Sequence, residues 1–221
     1  MLINLCFHGV GVPRRELEPG EDPYWISADL FTDVLDLAAA QPDVRLSFDD
    51  GNASDVEIAL PALAERGLTA SFFPVAERIG RPGSVDSDGL RRLRGAGMTV
   101  GSHGMRHLPW RGMSDEQLGE ELVDARRVIA EACGADPADV AEAACPLGRY
   151  DRRVLGRLRR LGYRRVFTSD RARARRAAWL QPRYSVRRSD DVASVRALLG
   201  EAPALRDRIV ASARVTAKRW R

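Results

Sequence analysis

The sequence is poor in cysteine, with only Cys6, Cys133 and Cys145 among its 221 residues. Three is an odd number, and no two of the cysteines have the CxxC spacing of structural zinc clusters and redox motifs. The sequence therefore indicates neither a disulfide framework nor a cysteine-rich zinc module. We expect the protein to work in a reducing compartment.

Long apolar runs are also missing. The first residues, MLINLCFHGVG, are apolar, but they lack the basic start and the small-residue cleavage site of an export signal. No segment approaches the roughly 20 apolar residues that a membrane-spanning helix needs. We therefore expect these first residues to form a strand and the protein to be cytoplasmic.

Lysine is nearly absent, since Lys218 is the one exception among 35 cationic residues that are otherwise arginine. Residues 152–221 hold 21 cations and 5 anions, net +16, whereas the preceding residues hold 14 and 26, net −12. This asymmetry predicts an anionic partner or surface near the C-terminal part. A coding bias towards arginine would produce the same pattern without any function.

What is present is the composition of a globular α/β domain, with 44% hydrophobic and 30% charged residues. We expect one domain over residues 1–221, ending in a basic helix at about 203–221. That helix would pack on the domain or make peripheral contact with an anionic membrane surface. The basic run at Arg173, Arg175 and Arg176 has no interleaved aromatic residues, so no nucleic-acid partner is expected.

Short apolar runs alternate with helical patterns, which is typical of successive βα units around a parallel sheet or barrel. Strands are predicted near residues 2–7, 44–48, 69–75, 98–100, 140–145, 165–168 and 184–186. Helices are predicted over residues 27–40, 55–66 and 86–95, from a capping box at Ser114 to about residue 133, and over 151–161.

Two adjacent carboxylates, Asp49 and Asp50, precede Gly51 at the predicted C-terminal end of a strand. Barrel enzymes place their active sites at such strand ends. Adjacent side chains of a strand point to opposite sides, so these two can converge only if the chain turns at once, which Gly51 permits. The two acids would then take different roles. A solvated Asp-Asp-Gly turn is the alternative.

His103 and His107 are two of only three histidines, and they follow the strand predicted near residues 98–100. Their i, i+4 spacing would project both rings from one face of a helical turn, where neutral imidazoles can bind one divalent cation. With the strand-end carboxylates they favour a His₂Asp hydrolase site. Two surface histidines spaced by chance are the alternative. The motifs of serine hydrolases, nucleotide hydrolases and dinucleotide-binding proteins are absent.

In their order along the chain, these motifs resemble those of the polysaccharide deacetylases, the NodB-homology or carbohydrate esterase family 4 proteins. Ser47-Phe-Asp-Asp-Gly51 is similar to the first family motif and Ser102-His-Gly-Met-Arg-His107 to the second. The third family motif is matched by Cys145-Pro-Leu-Gly-Arg-Tyr-Asp151. The resemblance continues through the connecting segments from about residue 44 to residue 186.

The resemblance implies an α/β fold, a distorted TIM-like (β/α)7 barrel with its site at the C-terminal strand ends. It assigns Asp50, His103 and His107 as ligands of a divalent metal, with Zn²⁺ favoured over Co²⁺ and Ni²⁺, and Asp49 as the catalytic base. The implied enzyme is a hydrolase of amide C–N bonds. It would remove acetate from an N-acetylglucosamine-type sugar in glycan or glycoconjugate biosynthesis.

Two departures from the family pattern concern the base and the acid. Many members carry an arginine that orients the base, and this sequence has Ala144 at that position. No histidine follows His107, although members commonly take their general acid from a later one. Some members resemble this chain in having an N-terminal histidine as the acid, which makes His8 the candidate. A structural role is the alternative for His8.

Substrate contacts are expected from Pro146, Gly148 and Tyr150 of the third motif and from Arg183. If the substrate is a phosphate-linked sugar precursor, Arg183 is the first candidate for the phosphate, with a structural ion pair as the alternative. Two other functions stay open. One is a related amide or formamide hydrolase with a non-polysaccharide substrate, and the other is a catalytically weak sugar-binding protein.

Overall fold

A computed structural model describes residues 1–200 of the protein. The basic helix expected at about 203–221 lies outside the described residues. None of the helices within residues 1–200 has the length and apolarity needed to cross a membrane.

The architecture is built on short parallel strands, most of which are buried on both faces, as expected for strands covered by helices. The strands are β1 (Ile3–Phe7), β2 (Gly9–Val10), β3 (Trp25–Ile26), β4 (Val44–Asp50), β5 (Ala70–Pro74), β6 (Thr99–Val100), β7 (Glu142–Ala144), β8 (Arg165–Thr168), β9 (Leu180–Pro182) and β10 (Tyr184–Ser185). Their pairings with one another are parallel throughout the described part of the chain.

The strand order is circular. A five-stranded sheet has the order β10-β1-β4-β5-β6 and a three-stranded sheet the order β7-β8-β9, while β2 and β3 form a separate pair. An isolated parallel bridge from Ser102 to Ala143 joins the chain after β6 to β7. On the other side, one continuous segment pairs with β8 as β9 and then with β1 as β10. Counting that segment once and leaving out the separate β2–β3 pair gives seven strands. The expected α/β fold class is confirmed, with a barrel ladder interrupted at these two junctions.

The helices begin at the caps that the sequence predicts. They are α1 (Ala28–Ala39), α2 (Leu60–Glu65), α3 (Ser87–Gly95), α4 (Asp115–Gly119), α5 (Ala125–Cys133), α6 (Arg152–Arg160) and α7 (Val192–Gly200). The side chains of Ser27, Asp86, Ser114 and Asp151 each accept a backbone N–H from the first turn. The capping box at Ser114 is confirmed. The sequence did not predict α7, β2, β3 or β9.

Two wide π-helical turns interrupt the helical pattern, one over Asp55–Ala59 before α2 and one over Glu120–Asp124 between α4 and α5. The sequence predicted uninterrupted helices at both places. Each turn carries a carboxylate that is almost fully buried, Asp55 and Glu121. Such turns often occur at functional sites, and both of these lie next to the residues of the candidate site.

Aromatic side chains fill the space between the sheet and the helices. The rings of Phe7, Phe48 and Phe72 stack in a row, with centroid distances of 5.2 and 4.6 Å, and Phe31 of α1 packs edge-on against Phe7. Burial of one such ring stabilises the fold by about 1.5–3 kcal/mol. This apolar layer leaves the C-terminal ends of the strands to polar residues.

Candidate metal and catalytic site

A cavity of about 390 Å³ opens at the C-terminal ends of the strands. It brings together most of the residues that the sequence predicts for the site: His8, Asp49, Asp50, His103, His107, Gly148 and Arg183 line it. Pro146 and Tyr150 are not among the lining residues. These residues lie at or just after the C-terminal ends of different strands, as active-site residues do in other parallel barrels.

The turn that makes Asp49 and Asp50 converge starts at Asp50 itself. Asp50 has a φ of 76° and Gly51 a φ of 71°. A left-handed backbone is uncommon for a residue other than glycine and is found where surrounding contacts enforce it. At Gly51 a Cβ would lie 2.9 Å from the backbone of Pro74, so glycine is required there on both counts. The turn predicted at Gly51 thus begins one residue earlier.

The two site histidines lie on an irregular loop, and the predicted helical turn is wrong. No helix is assigned between β6 and α4, and both Gly104 (φ 82°) and His107 (φ 59°) have left-handed backbones. The imidazoles nevertheless converge, with ring centroids 5.2 Å apart. Spacing alone cannot distinguish a helical turn from a loop that folds back on itself.

The buried carboxylate of Glu121 accepts hydrogen bonds from this loop. Oε2 accepts the backbone N–H of Met105 at 2.8 Å and the indole N–H of Trp110 at 3.2 Å, and Oε1 accepts the N–H of Arg106 at 3.2 Å. A Cβ at Gly104 would overlap the same carboxylate. The loop that carries both histidines therefore depends on the π-helical turn of Glu121.

The side chains of Asp50, His103 and His107 place one donor atom each within 4.8 Å of one another. Nε2 of His107 is 3.4 Å and Nε2 of His103 is 3.7 Å from Oδ1 of Asp50. Nδ1 of His103 donates to the carbonyl oxygen of Ala144 at 2.9 Å, and Nδ1 of His107 donates to Glu18 at 2.6 Å. These outer hydrogen bonds leave both Nε2 lone pairs directed at the Asp50 carboxylate.

The environment of this triad fits a divalent cation. Both carboxylate oxygens of Asp50 are buried and make no hydrogen bond within residues 1–200, and Arg78 approaches Oδ1 only to 3.9 Å. A buried carboxylate without a partner is costly unless a cation neutralises it. Burial also lowers the pKa of His103 to about 4, so its ring is neutral at pH 7 and able to act as a ligand.

Asp49 has a different partner. Arg183 donates from Nη1 to Oδ1 at 2.7 Å and from Nη2 to Oδ2 at 2.6 Å, and Nη1 also reaches the hydroxyl of Ser47 at 3.0 Å. Burial alone would raise the pKa of Asp49, but the Arg183 guanidinium reverses that effect and holds the pKa well below its usual range. Arg183 is only 2% exposed. The geometry fits the ion-pair interpretation of Arg183 and leaves no free guanidinium there for a substrate phosphate.

His8 lies on the Asp49 side of the cavity. Cys6, His8 and Asp49 each place one ligand atom within 4.8 Å of the others, and the His8 ring lies against Tyr24 with a centroid distance of 4.7 Å. Nδ1 of His8 is buried and has no hydrogen-bond partner among the described residues. The structure thus brings the predicted acid and the predicted base together.

The third motif contributes to the cavity through residues other than those predicted. Tyr150 is buried in an apolar cluster, where its hydroxyl donates to Asp170 at 2.6 Å, and Pro146 is buried as well. Gly148 does line the cavity, and a side chain at this position would overlap Ser169. The side chains that this motif exposes at the rim are those of Leu147, which has a φ of 54°, and Arg149.

Sequence reasoning missed Glu18, Tyr24, Glu121, Leu147 and Arg149. Glu18 and Tyr24 come from the long segment between β2 and β3. This segment carries no local pattern that predicts its position over the strand ends. Leu147 and Arg149 belong to the third motif, but the sequence analysis did not predict that they line the cavity. The left-handed backbone of Leu147 has no local sequence signal. Arg149 could have been predicted as a cavity residue, because it directly follows a glycine of that motif.

The polysaccharide deacetylase family model matches residues 37–166. The protein YxkH of Bacillus subtilis (strain 168), provisionally described as a polysaccharide deacetylase, is 23% identical over 152 residues, which are 69% of this chain. The chain spans about half the length, 53%, of this curated relative.

Solved structures share the fold. The deacetylase PplD of Streptococcus pyogenes, solved in complex with acetate, has a TM-score of 0.75 and 17% identity, over 90% of this chain and 98% of that one. IcaB of Ammonifex degensii has a TM-score of 0.70 and 22% identity, over 90% and 97% of the two chains. The family match covers more than half of the chain and includes Asp49, Asp50 and both site histidines, so the chain belongs to the polysaccharide deacetylase family.

Proposed function

We propose that the protein is a metal-dependent N-deacetylase that hydrolyses the acetamide of an N-acetylglucosamine-type sugar, in glycan or glycoconjugate biosynthesis. One observation carries this proposal: a buried His₂Asp triad and a second, separately paired carboxylate share one cavity. The triad provides a cation site, and the second carboxylate provides a base that is not itself a ligand. Family membership supports the same chemistry.

Asp50, His103 and His107 would hold the cation. When bound, a divalent metal supplies Lewis-acid polarisation of the acetamide carbonyl and acidifies the attacking water. Neutral imidazoles with one carboxylate suit Zn²⁺ best, with Co²⁺ and Ni²⁺ as alternatives. The ligands approach from two separate strand-end loops, which leaves the cavity side of the site open for substrate.

Asp49 is the proposed base and His8 the proposed acid. Asp49, ionised through its pair with Arg183, accepts one proton from water as the water oxygen bonds to the carbonyl carbon. His8 donates a proton to the amide nitrogen as the C–N bond breaks. The products are acetate and the free amine. His8 and Asp49 lie close enough together to act on the same bond.

We further propose that the substrate carries an anionic group, such as the phosphate of a sugar precursor, and that Arg149 contacts it. Arg149 is exposed at the cavity rim, and its side chain has no ion pair or hydrogen bond within residues 1–200. A guanidinium in this position can bind a phosphate through two parallel hydrogen bonds, in a bidentate contact.

We place the enzyme in the cytoplasm, because its three cysteines are all free and buried. Membrane contact through the basic C-terminal residues is part of the same proposal.

Acetate release from a panel of substrates tests the function. The panel contains N-acetylglucosamine oligosaccharides, nucleotide-linked and lipid-phosphate-linked N-acetyl sugars, and the N-formyl analogue of each hit. We expect acetate release that a chelator abolishes and that Zn²⁺, Co²⁺ or Ni²⁺ restores. Faster formate release would favour the formamide hydrolase. Sugar binding without turnover would favour the binding protein.

A further inference from the structure

We propose that the protein has a second binding site, at the N-terminal ends of the strands, for a small anion that also carries a hydroxyl or amino group. A cavity of about 190 Å³ lies there, among residues near the starts of β1, β4, β5, β6, β7 and β8. It has room for about six water molecules or one small metabolite. Within residues 1–200 it shares no lining residue with the metal-site cavity at the opposite strand ends.

Arg45 brings a positive charge to this second cavity that the neighbouring carboxylate does not neutralise. Glu142 also lines the cavity, but Arg165 donates to its Oε1 at 3.0 Å and the hydroxyl of Ser71 donates to its Oε2 at 2.9 Å. Nη1 of Arg45 is buried and makes no hydrogen bond within residues 1–200. A buried cationic donor without an acceptor is costly, and an anion in the cavity would remove that cost.

The electrostatic surroundings of Arg45 agree with this interpretation. Burial lowers the pKa of Arg45, and the nearby charges of Arg165 and Arg176 lower it further. Glu142 has the opposite effect, but it is smaller than each of these causes. The charged guanidinium is therefore disfavoured where it lies, and a bound anion would stabilise it.

Asn4 adds a buried acceptor whose orientation is fixed by its neighbours. Its Nδ2 donates to Oε1 of Gln181 at 3.1 Å and to the carbonyl oxygen of Pro182 at 3.0 Å. The Gln181 amide cannot be turned round, because its Nε2 donates to the carbonyl oxygens of Arg175 and Ala178. Oδ1 of Asn4 is therefore the atom left without a partner among the described residues, in a side chain that is almost fully buried. This acceptor requires a hydroxyl or amino donor.

The two groups belong to one site. Asn4 of β1 and Arg45 of β4 are register partners, so their side chains leave the sheet on the same face, and both line the cavity. A cationic donor beside a neutral acceptor matches an anion with an adjacent donor, as in a hydroxycarboxylate, an amino acid or a hydrogen phosphate. Thr69 and Thr99 also line the cavity and are exposed, so a ligand can enter from solvent.

Calorimetric titration of the metal-free full chain tests this site, with glycolate and inorganic phosphate as probes at constant ionic strength. We expect binding, and the tighter probe identifies the acid group. Arg45→Gln should weaken it about 10–100-fold, because a charge-assisted hydrogen bond is lost. Arg164→Gln is the matched control, since this arginine is exposed beside β8 and does not line the cavity. His103→Ala should also bind like the wild type, which distinguishes this site from the metal-site cavity.

Further ligands separate the two halves of the recognition. Glycolamide keeps the hydroxyl without the charge and should bind at least tenfold more weakly than glycolate. Acetate and sulfate keep the charge without the donor, and they should bind about 2–10-fold more weakly than glycolate and phosphate, respectively. In Asn4→Ala that difference should disappear. Thermal unfolding in parallel should show Arg45→Gln to be no less stable than the wild type, because the variant removes an unpartnered buried charge.

Four results would overturn the proposal, and none depends on whether the protein is a deacetylase. The first is that neither glycolate nor phosphate binds, which would leave the cavity to water. The second is equal affinity in a folded Arg45→Gln variant and in the wild type. The third is glycolamide binding as tightly as glycolate, and the fourth is an anion without a donor binding as tightly as its partner with one.

Discussion

Asp49 and Asp50 are neighbours of the same chemical type, and their surroundings separate them. Asp49 meets a guanidinium that lowers its pKa and fixes its plane. Asp50 turns away at a left-handed backbone and meets two imidazole nitrogens. The sequence predicted that the two acids converge, because a strand end followed by glycine is a local signal. The sequence did not predict that Arg183 pairs with Asp49, because the two residues are 134 positions apart and meet only in the folded chain.

Replacing the proposed acid and the proposed base should affect different steps. His8→Ala should slow deacetylation of the sugar amide by about 10²–10⁴-fold, because the leaving nitrogen then departs without a donated proton. The same variant should hydrolyse an aryl acetate at close to the wild-type rate, since a phenolate leaves unassisted. Asp49→Asn should slow both substrates, because both need water to be deprotonated.

Initial rates on the two substrates, with zinc content measured in parallel, check these expectations. A His8→Ala enzyme that is equally slow on the amide and the aryl ester would contradict the role of acid. Loss of zinc from Asp49→Asn would mean that the two aspartates are assigned in reverse.

Asp55 is a buried carboxylate that lowers stability near neutral pH. Neither of its oxygens makes a hydrogen bond within the described chain. Burial, reinforced by the charges of Asp50 and Asp49, raises its pKa well above the usual value. A pKa raised in the folded state gives stability that is fully present below the unfolded value, about 3.9, and is lost as pH rises through the folded value.

Asp55→Asn should therefore stabilise the metal-free protein at pH 7–8, by about 1 kcal/mol or about 2–4 °C in Tm. Thermal unfolding in a chelator, at a series of pH values, measures this effect. The difference from wild type should shrink as pH falls towards the unfolded value, because protonation then neutralises Asp55. Asp29→Asn, at an exposed position on α1, is the control and should show no such trend. An Asp55→Asn protein that is less stable than wild type at every pH would contradict this account.

At the scale of elements, the sequence was informative where the signal is local. Apolar runs located the seven strands, and Ser27, Asp86, Ser114 and Asp151 marked where four helices begin. It failed where tertiary contacts override local periodicity. The loop from Ser102 to Trp110 has no helical turn because its backbone groups bond to Glu121, to Pro74 and to the segment after β5.

The π-helical turn of Glu121 is the element that supports the histidine loop. Glu121→Gln keeps the size of the side chain but replaces a charged acceptor of three N–H groups with an amide that has one oxygen. We expect the loop to loosen and zinc affinity to fall about 10–100-fold, as for other residues that orient metal ligands. Glu116→Gln, on the exposed face of α4, should bind zinc like the wild type.

Zinc titration against a competing chelator measures both affinities. Near-ultraviolet circular dichroism of the metal-free proteins reports the environment of Trp110, which donates to the same carboxylate. Unchanged zinc affinity in a Glu121→Gln protein whose Trp110 signal has changed would show that the histidines keep their place without this support.

At the scale of the whole molecule, several charges of the two sequence blocks pair with one another within residues 1–200. Arginines from the +16 part pair with acids from the −12 part, so the asymmetry of the sequence does not persist as a basic face of equal size. The pairs are Arg153–Asp115, Arg165–Glu142, Arg176–Asp43, Arg183–Asp49 and Arg188–Asp22. Most are solvent-exposed and contribute about 0–1 kcal/mol each. The asymmetry is therefore weak support for an anionic partner, and the stronger support is the exposed guanidinium of Arg149 at the cavity rim.

That guanidinium gives the anionic-substrate proposal a specific test. Arg149→Gln should raise KM for a phosphate-bearing N-acetyl sugar by about 1.5–5-fold, the range of about 0.2–1 kcal/mol for an exposed charge pair. KM for the neutral sugar should not change. For the wild type, kcat/KM on the charged substrate should fall as salt rises from low ionic strength, and Arg149→Gln should reduce that slope, because screening acts on the charge that the variant removes. Arg111→Gln, exposed and outside the cavity lining, is the control. Equal KM values for charged and neutral substrates at low salt, or an Arg149→Gln effect of the same size on both, would leave a neutral oligosaccharide as the substrate.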